Sequence, residues 1–480
     1  MMNVAEIILE RARSYPDSIA LMEAELEVSF GQLDEISRAI SDRLSEVLRR
    51  NGIEPRQGRV GLFWPNGIDY VFVALAILRA GACLVPIAEE LTVSERFGLV
   101  QSTAVHLVIS RDDLGFAPVG GVVETGALLW KWSALSFEAA FPEAFVVGLG
   151  PAFVRFSSGT TGDSKGVLLS HQSLFERVQS ANRRLRITSE DRVLWMLPMA
   201  HHFAVSIVLY LLQGATTVIE KSHLAADILM TARRTSASVV YASPFHHSLL
   251  AAETSGEPWP SLRLAVSTAA SLREDVAVLF RARFGVPLSQ GLGIIEAGLP
   301  LLNECPLDKP LSVGRADDFE VRLVGENGEV LDGEGLGELQ LRGPGFFDAY
   351  LVPWRERGEV MRDGWFSTGD IAFVDVEGFV FLRGRRKSVI NFGGMKFFPE
   401  EVEEVLLRHP DVAACRVRGE EHERFGQIPV ADVVWGNLAV PASPVALSKH
   451  CREFMASYKI PVRYRFVEAV PRTASGKIKR

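Results

Sequence analysis

RVGLFWPNGIDYVFVALAILRAGACLVPI, residues 59 to 87, carries the pattern on which the fold turns. VGLFW is an apolar run of strand length, Pro65-Asn66-Gly67 is a turn, Tyr70 to Ala80 is an apolar helix with Gly81 at its end, and CLVPI is a second strand. Strand, helix and strand in that order make a βαβ unit. The pattern returns between Arg192 and Glu220 as strand VLWMLP, helix AVSIVLYLLQ, Gly214 and strand ATTVIE. With further strand-like runs at SVVYAS (238 to 243) and LRLAV (262 to 266), these units predict an α/β fold of mostly parallel sheets covered by helices.

Past about Leu311 the strands shorten and glycine becomes frequent, as in FEVRLVGENGEV and GELQLRGPG, where Glu326-Asn327-Gly328 signals a hairpin turn. A β-rich subdomain is expected there. After Arg385 come helix EEVEEVLLR, strands CRVRG and IPVADVVW, and a helix near Leu447 to Met455. The expected division is a large N-terminal domain over 1–386 and a small α+β domain over 387–480, joined near Lys387.

The 480 residues and 48% hydrophobic content allow a large core and more than one folding unit. With 51 Lys+Arg against 59 Asp+Glu the net charge is −8, which gives no broad attraction for a polyanion, so nucleic acid is not an expected partner. The N-terminal segment MMNVAEIILERARSYPDS mixes charges and apolar residues at helical spacing and lacks the apolar core of a signal peptide; a surface helix of a cytoplasmic protein is expected. The most apolar run, Val71 to Leu78, ends at Arg79, short of the ~18 residues of a membrane span, and is read as a buried helix. Cys83, Cys305, Cys415 and Cys451 show no CxxC spacing, which fits a reducing compartment rather than a metal or disulfide framework.

The sharpest local feature is FSSGTTGDSKGV, residues 156 to 167, where the apolar strand AFVRF runs into a loop of Ser, Thr, Gly and Lys165. Glycines let backbone approach a phosphate, hydroxyls and amides donate to its oxygens, and Lys165 adds positive charge. By composition a flexible Ser/Gly linker reads equally well. GxxxxGK[ST] cannot be drawn through these residues, so this is not a Walker loop.

SSGTTGDSKGV resembles the signature phosphate loop of the adenylate-forming superfamily of acyl-CoA synthetases, aryl-CoA ligases and peptide-synthetase adenylation domains. Further strings similar to that family's follow in its order: VSFGQLDEIS (28 to 37), LRAGACLVPI (78 to 87), GELQLRGPGFFDAYL (337 to 351), WFSTGDIA (365 to 372), GRRKSVINFGGMKFFPEEVE (384 to 403) and PRTASGKIKR (471 to 480). The resemblance implies an enzyme that activates a carboxylic acid as its acyl-adenylate with ATP and Mg²⁺, then passes the acyl group to the thiol of coenzyme A or of a carrier protein's phosphopantetheine.

Residue by residue, the resemblance implies that Ser157, Ser158, Gly159, Thr160, Thr161, Gly162 and Lys165 hold the phosphates of ATP, with Thr160 beside the metal. Asp370 matches the carboxylate that binds both ribose hydroxyls, and Arg385 the arginine that reaches ribose or phosphate. Glu296 falls where the family keeps a Mg²⁺-binding glutamate; one carboxylate with phosphate oxygens suits this ion. Around it stand Leu292, Gly293, Ile294 and Ile295, and Ile295 occupies the place of a usual Thr, whose hydrogen bond it cannot make. AVSTAASLRED (265 to 275) resembles the adenine-binding stretch, so Thr268, Ala269 and Ala270, together with Gly291, Leu292 and Gly293, are assigned to the nucleotide, with Thr268 where Gly is common. Ser164 stands in the place of a usual Pro. Lys477 matches the near-terminal lysine that lies between acid carboxylate and α-phosphate and offsets their repulsion.

PMAHHFAV (198 to 205) resembles the segment that places His201 beside the acyl site; His202, Phe203, Gly293, Ile294 and Ile295 are assigned to the same pocket. Adjacent histidines on a helix do not share a face, and no third ligand is evident, so a metal pair is not expected. The Asp with which amino-acid-activating relatives hold an ammonium group is missing, which favours a fatty or aryl acid. Lys387 matches the hinge about which the small domain rotates, and Gly393 and Gly394 would let a pantetheine arm pass. The chain stops three residues after Lys477, so the thiol acceptor is expected from a separate molecule. Alternatives left open are a stand-alone amino-acid adenylation enzyme and a catalytically silent nucleotide-binding relative, the latter suggested by Ile295.

Overall fold

The computed structural model describes residues 2–126, 128–156, 165–254, 258–331, 333–436, 441–471 and 478. Among them, two large sheets form the bulk of the molecule. In the first, parallel strands stand in the order Leu288–Ile294, Leu264–Ser267, Val239–Ala242, Arg192–Trp195, Thr216–Ile219 and Ile19–Glu23, with antiparallel strands Gly298–Leu302 and Leu26–Ser29 at its margins. The second is mixed: strands Pro151–Phe156, Cys83–Ile87, Arg59–Phe63 and Leu107–Ser110 run parallel at its centre, and antiparallel strands flank them.

Both βαβ units form as expected, one in each sheet. Arg59–Phe63 pairs in parallel with Cys83–Ile87, and Arg192–Trp195 with Thr216–Ile219. The first helix, Ile68–Arg79, is buried at every residue from Tyr70 to Leu78, which is why its sequence shows no polar face. Its N-cap, Gly67, has no side chain to offer; Glu23, from the other sheet, accepts from the Ile68 amide at 2.8 Å instead. Asn66 in the same turn accepts from the Met199 amide at 2.8 Å and donates to the Leu197 carbonyl, tying the first unit to the start of the second unit's helix. The helix Val4–Ser14 lies on the surface as expected, but its apolar face is closed completely: Val4, Ala5, Ile8 and Leu9 are 0% exposed. No helix among the described residues is long and apolar enough to cross a membrane.

The β-rich segment forms an antiparallel sheet in the order Val330–Leu331, Glu320–Val324, Gly335–Arg342, Phe366–Val374 and Val380–Arg385, and Gly328 takes the positive φ of 87° its turn requires. Beyond it, residues 390–451 close their own core around Ile390, Phe397, Val402, Val417, Val433 and Leu447. The helices there are Pro399–Leu407 and Pro444–Phe454, packed against the long hairpin Val412–His422 and Gly426–Trp435. Lys396 of this small unit pairs with Glu326 in the turn of the β-rich sheet at 2.9 Å, with both side chains largely in solvent. The four cysteines are free; Cys83, Cys415 and Cys451 are buried and Cys305 is exposed.

Candidate active site

In open sheets of this kind, sites form at the carboxyl ends of parallel strands. Three such ends meet here, because Ala242 pairs with Ser267 and Ser267 with Gln290. The next residue along the middle strand is Thr268, 3% exposed, whose amide donates to the Ala242 carbonyl at 3.0 Å and whose hydroxyl lies 3.4 Å from the Gly291 carbonyl. Ala269 then turns into the left-handed region at φ 75°, which an L-residue adopts at a cost of about 1 kcal/mol. A side chain at Gly293 would meet the Thr268 hydroxyl at 3.3 Å, so this glycine keeps an exposed stretch of backbone open beside the strand ends.

Glu296 lies just beyond, in the turn after Leu288–Ile294, and is 8% exposed. Tyr350 donates to its Oε1 at 2.8 Å. Burial and the adjacent carboxylate both push the Tyr350 phenol well above its ordinary range, so it remains a donor. Lys165 stands 4.4 Å over the Tyr350 ring, a cation-π contact that brings the end of the Ser/Thr/Gly loop to the same spot. Ser157, Ser158, Gly159, Thr160, Thr161 and Gly162 themselves lie outside the described residues. Buried Arg177 fixes the backbone of this corner: its guanidinium donates to the carbonyls of Ile295 at 2.8 Å, Glu296 at 3.1 Å and Gly345 at 2.7 Å. The Ile295 side chain packs on the large core cluster, which accounts for an apolar residue at this position.

Asp370 and Arg385 face each other across an antiparallel pair, and Arg385 Nε meets Asp370 Oδ1 at 2.7 Å. Gly369, at φ 75°, turns the strand immediately before the carboxylate, and Arg385 Nη1 also reaches the Thr368 carbonyl. Asp370 is 7% exposed, whereas half of the Arg385 side chain is in solvent, so the arginine is the partner free to swing toward a ligand.

The two histidines diverge, as neighbours on one turn must. His201 Nε2 meets Glu90 Oε1 at 2.7 Å, and this bond holds the Glu90 carboxyl below its usual range against the opposing effect of burial. His202 is buried edge-on against Trp195, ring centres 5.7 Å apart. Directly after them, Phe203–Ile207 forms one turn of π-helix before the α-helix resumes at Val208. Such turns carry an extra residue per turn and recur at functional sites. Phe203 is fully buried, Phe203 and Leu292 belong to the large core cluster, and Ile294 and Ile295 are partly buried against it.

Lys387 is exposed on a short 3-10 turn, Arg386–Ser388, between the β-rich sheet and the small unit. Gly393 and Gly394, at φ 58° and 93°, form the two-residue turn of the hairpin Ile390–Phe392 and Met395–Phe397, and both are exposed. The Gly393 amide is held by the Phe425 carbonyl at 2.8 Å. Lys477 lies outside the described residues.

A family model described as AMP-binding enzyme matches residues 8–351, and one described as AMP-binding enzyme C-terminal domain matches residues 401–477. The chain belongs to the AMP-binding enzyme family. This AMP-binding enzyme is 29% identical over 500 residues to the oxalate–CoA ligase of Arabidopsis thaliana, covering 98% of this chain and 95% of that one. It is 29% identical over 481 residues to a feruloyl-CoA synthase of an Amycolatopsis species, covering 98% and 96%. Among solved structures it is similar to o-succinylbenzoate CoA synthetase of Bacillus subtilis in complex with its acyl-adenylate intermediate, at TM-score 0.83 and 25% identity over 99% of this chain and 96% of that chain. It is thus an AMP-forming acid–thiol ligase; the Bacillus subtilis synthetase has also been solved in complex with ATP and a magnesium ion.

Its residues fit the metal. Glu296 Oε1 is taken by Tyr350, over whose ring Lys165 stands, and its other oxygen has no hydrogen bond among the described residues. No group of three or more His, Cys, Asp or Glu among the described residues could hold an ion by itself. One carboxylate plus phosphate oxygens is the arrangement magnesium accepts, and when bound it would offset phosphate charge.

Arg177, Glu90 and Tyr350 are the site-forming residues that sequence reasoning did not single out. Tyr350 lies within the quoted string GELQLRGPGFFDAYL, so a polar residue closing an apolar strand was its available signal. Arg177 and Glu90 act through contacts across the chain that no local pattern encodes.

Proposed function

We propose that the enzyme activates a fatty or aryl carboxylic acid and transfers it to the thiol of coenzyme A or of a carrier-protein phosphopantetheine. The observation that carries this reading is the grouping of Glu296, Tyr350 and Lys165 at the mouth of the Ser/Thr/Gly loop, beside strand ends that lead to the apolar residues Phe203, Leu292 and Ile294. That grouping offers a polar, cationic side for a triphosphate and an apolar side for an acyl chain. The feruloyl-CoA synthase relative supports an aryl acid.

In the proposed cycle an acid carboxylate oxygen attacks the α-phosphorus of ATP and pyrophosphate leaves. Lys165 and the loop hold phosphate oxygens, Lys477 lies between the two reacting anions, and Asp370 exchanges its bond to Arg385 for the ribose hydroxyls. Glu296, fixed by Tyr350 and by Arg177 through the backbone, is the carboxylate for magnesium. Rotation of the small domain, 387–480, about Lys387 then brings the Gly393-Gly394 turn to the site; the thiol, losing its proton, attacks the acyl carbon and AMP departs.

The test is product mass spectrometry on a panel of fatty, aryl and amino acids with MgATP, with and without coenzyme A. Acyl-CoA from a fatty or aryl acid is the expected result, and products from amino acids alone would overturn it. In the same assay Lys477→Ala should slow acyl-AMP formation at least ~10²-fold, and Lys387→Pro should spare acyl-AMP while suppressing thioester. Equal loss of both steps on Lys387→Pro refutes the hinge.

A further inference from the structure

Arg155 sits on the strand Pro151–Phe156, which leads into the phosphate loop, and its register fixes where it points. Phe153 pairs with Leu169 and Arg155 with Val167, so these four side chains share one face of the sheet. Phe153, Val167 and Leu169 belong to the core cluster that also holds Trp195, Phe203, Tyr241 and Leu292, whereas Val154 and Leu168 belong to the cluster on the opposite face. Arg155 therefore projects into the space between the two large sheets, on the side of the acyl residues.

Its guanidinium meets no counter-charge within ion-pair distance among the described residues. Arg59 is paired with Glu143, and Arg177 is bound to three carbonyls, but Arg155 makes no hydrogen bond or ion pair among the described residues, and its Nε is fully buried without a partner. Burial lowers its pKa to about 10, with Glu296 and Tyr241 as the groups that oppose the shift, so it is cationic at neutral pH. Glu296 is no closer partner, since no ion pair within 4.0 Å forms and its Oε1 is engaged by Tyr350. A planar donor fork left unfilled among the described residues, on the face of apolar Phe153, Val167 and Leu169, can receive a planar or tetrahedral anion.

We propose that Arg155 binds a second anionic group carried by the acid itself, a carboxylate or sulfonate on the fatty or aryl skeleton, and so selects diacids over monoacids. This rests on the ligase reading above. A rival role, contact with the phosphates of ATP, is separable because it would act equally on every acid.

The experiment is ATP–pyrophosphate exchange with matched pairs, hexanoate against adipate and benzoate against terephthalate. Wild-type enzyme should show a kcat/KM at least ~10-fold higher for one or both diacids, the scale of one charge-assisted hydrogen bond. Arg155→Met should abolish that preference while leaving kcat/KM for the monoacid and KM for ATP unchanged, and Arg155→Lys should retain part of it. The wild-type preference does not depend on a variant folding. Preference of wild type for both monoacids overturns the proposal, as does an Arg155→Met variant that raises KM for ATP equally with either acid. Absence of exchange with every acid in wild type refutes the ligase reading and the subsite with it.

Discussion

The two βαβ units are built to the same plan and used differently. In the unit at residues 59–87 the helix Ile68–Arg79 is regular and sealed in the core. In the unit at 192–219 the corresponding helix is broken into Met199–His202, a π turn and Val208–Gln213, and it carries the His201–Glu90 contact on its open side. Regularity goes with load-sharing in the core, and irregularity with presenting a side chain to a site. The units are also coupled, since Asn66 of the first holds both Leu197 and Met199 at the start of the broken helix.

The largest effect should come from the regular unit. Leu75 is 0% exposed, so Leu75→Ala should lower unfolding free energy by about 2–5 kcal/mol while leaving the specific activity of folded enzyme unchanged. Denaturant melts alongside active-site titration check this, and an intact melt with lost activity would break the division between the units.

Acid should reveal a comparable cost through buried histidines outside both units. His171 accepts from the Val4 amide and His247 donates to the Val266 carbonyl, and burial lowers both to about 4, so both are neutral in the fold near pH 7. Their folded values lie below the unfolded ~6.5, so the native state resists protonation. Their stability contribution is present above pH ~6.5 and is lost progressively as pH falls toward 4, on the order of 2–3 kcal/mol for each histidine. His247→Gln should flatten part of this slope in melts taken across that range; an unchanged slope would exclude His247 as its source.

Asn66→Ala should cost about 1–2 kcal/mol by leaving the Met199 amide without its acceptor, and should raise KM for the acid because the broken helix loses its anchor. A change in stability alone would mean the coupling is structural only. The smallest stability effect belongs to His201→Ala. Its bond to Glu90 is partly solvated and contributes at most ~1 kcal/mol, yet kcat/KM for the acid should fall about 10-fold. A large stability loss without a kinetic one would reverse the roles of the two units.

Apolar periodicity is enough to place both units and their parallel pairing, because a helix or strand buried on all sides leaves an unmistakable run such as Val71 to Leu78. The Asn327-Gly328 signal places its turn, and the runs CRVRG and IPVADVVW place strands of the small domain but not their pairing as a hairpin. Periodicity does not reveal that the 59–87 sheet is mixed rather than mostly parallel, since antiparallel margins depend on loops with no strong local signature. At the candidate site, motifs single out Glu296, Asp370 and Arg385, and the structure pairs the last two. The broken helix is not, because AVSIVLYLLQ has no Gly or Pro to mark a π turn, nor is the Arg155 position, whose orientation depends on strand register.

The contact between Lys396 and Glu326 has a consequence for how the small domain is held. An exposed pair of this kind is weak, because water surrounds both charges, and it is screened over a Debye length of about 8 Å at physiological ionic strength. It works as a weak magnet rather than a bolt: background electrolyte sets the fraction of time it is closed, and dilution of salt lengthens each visit to the docked pose.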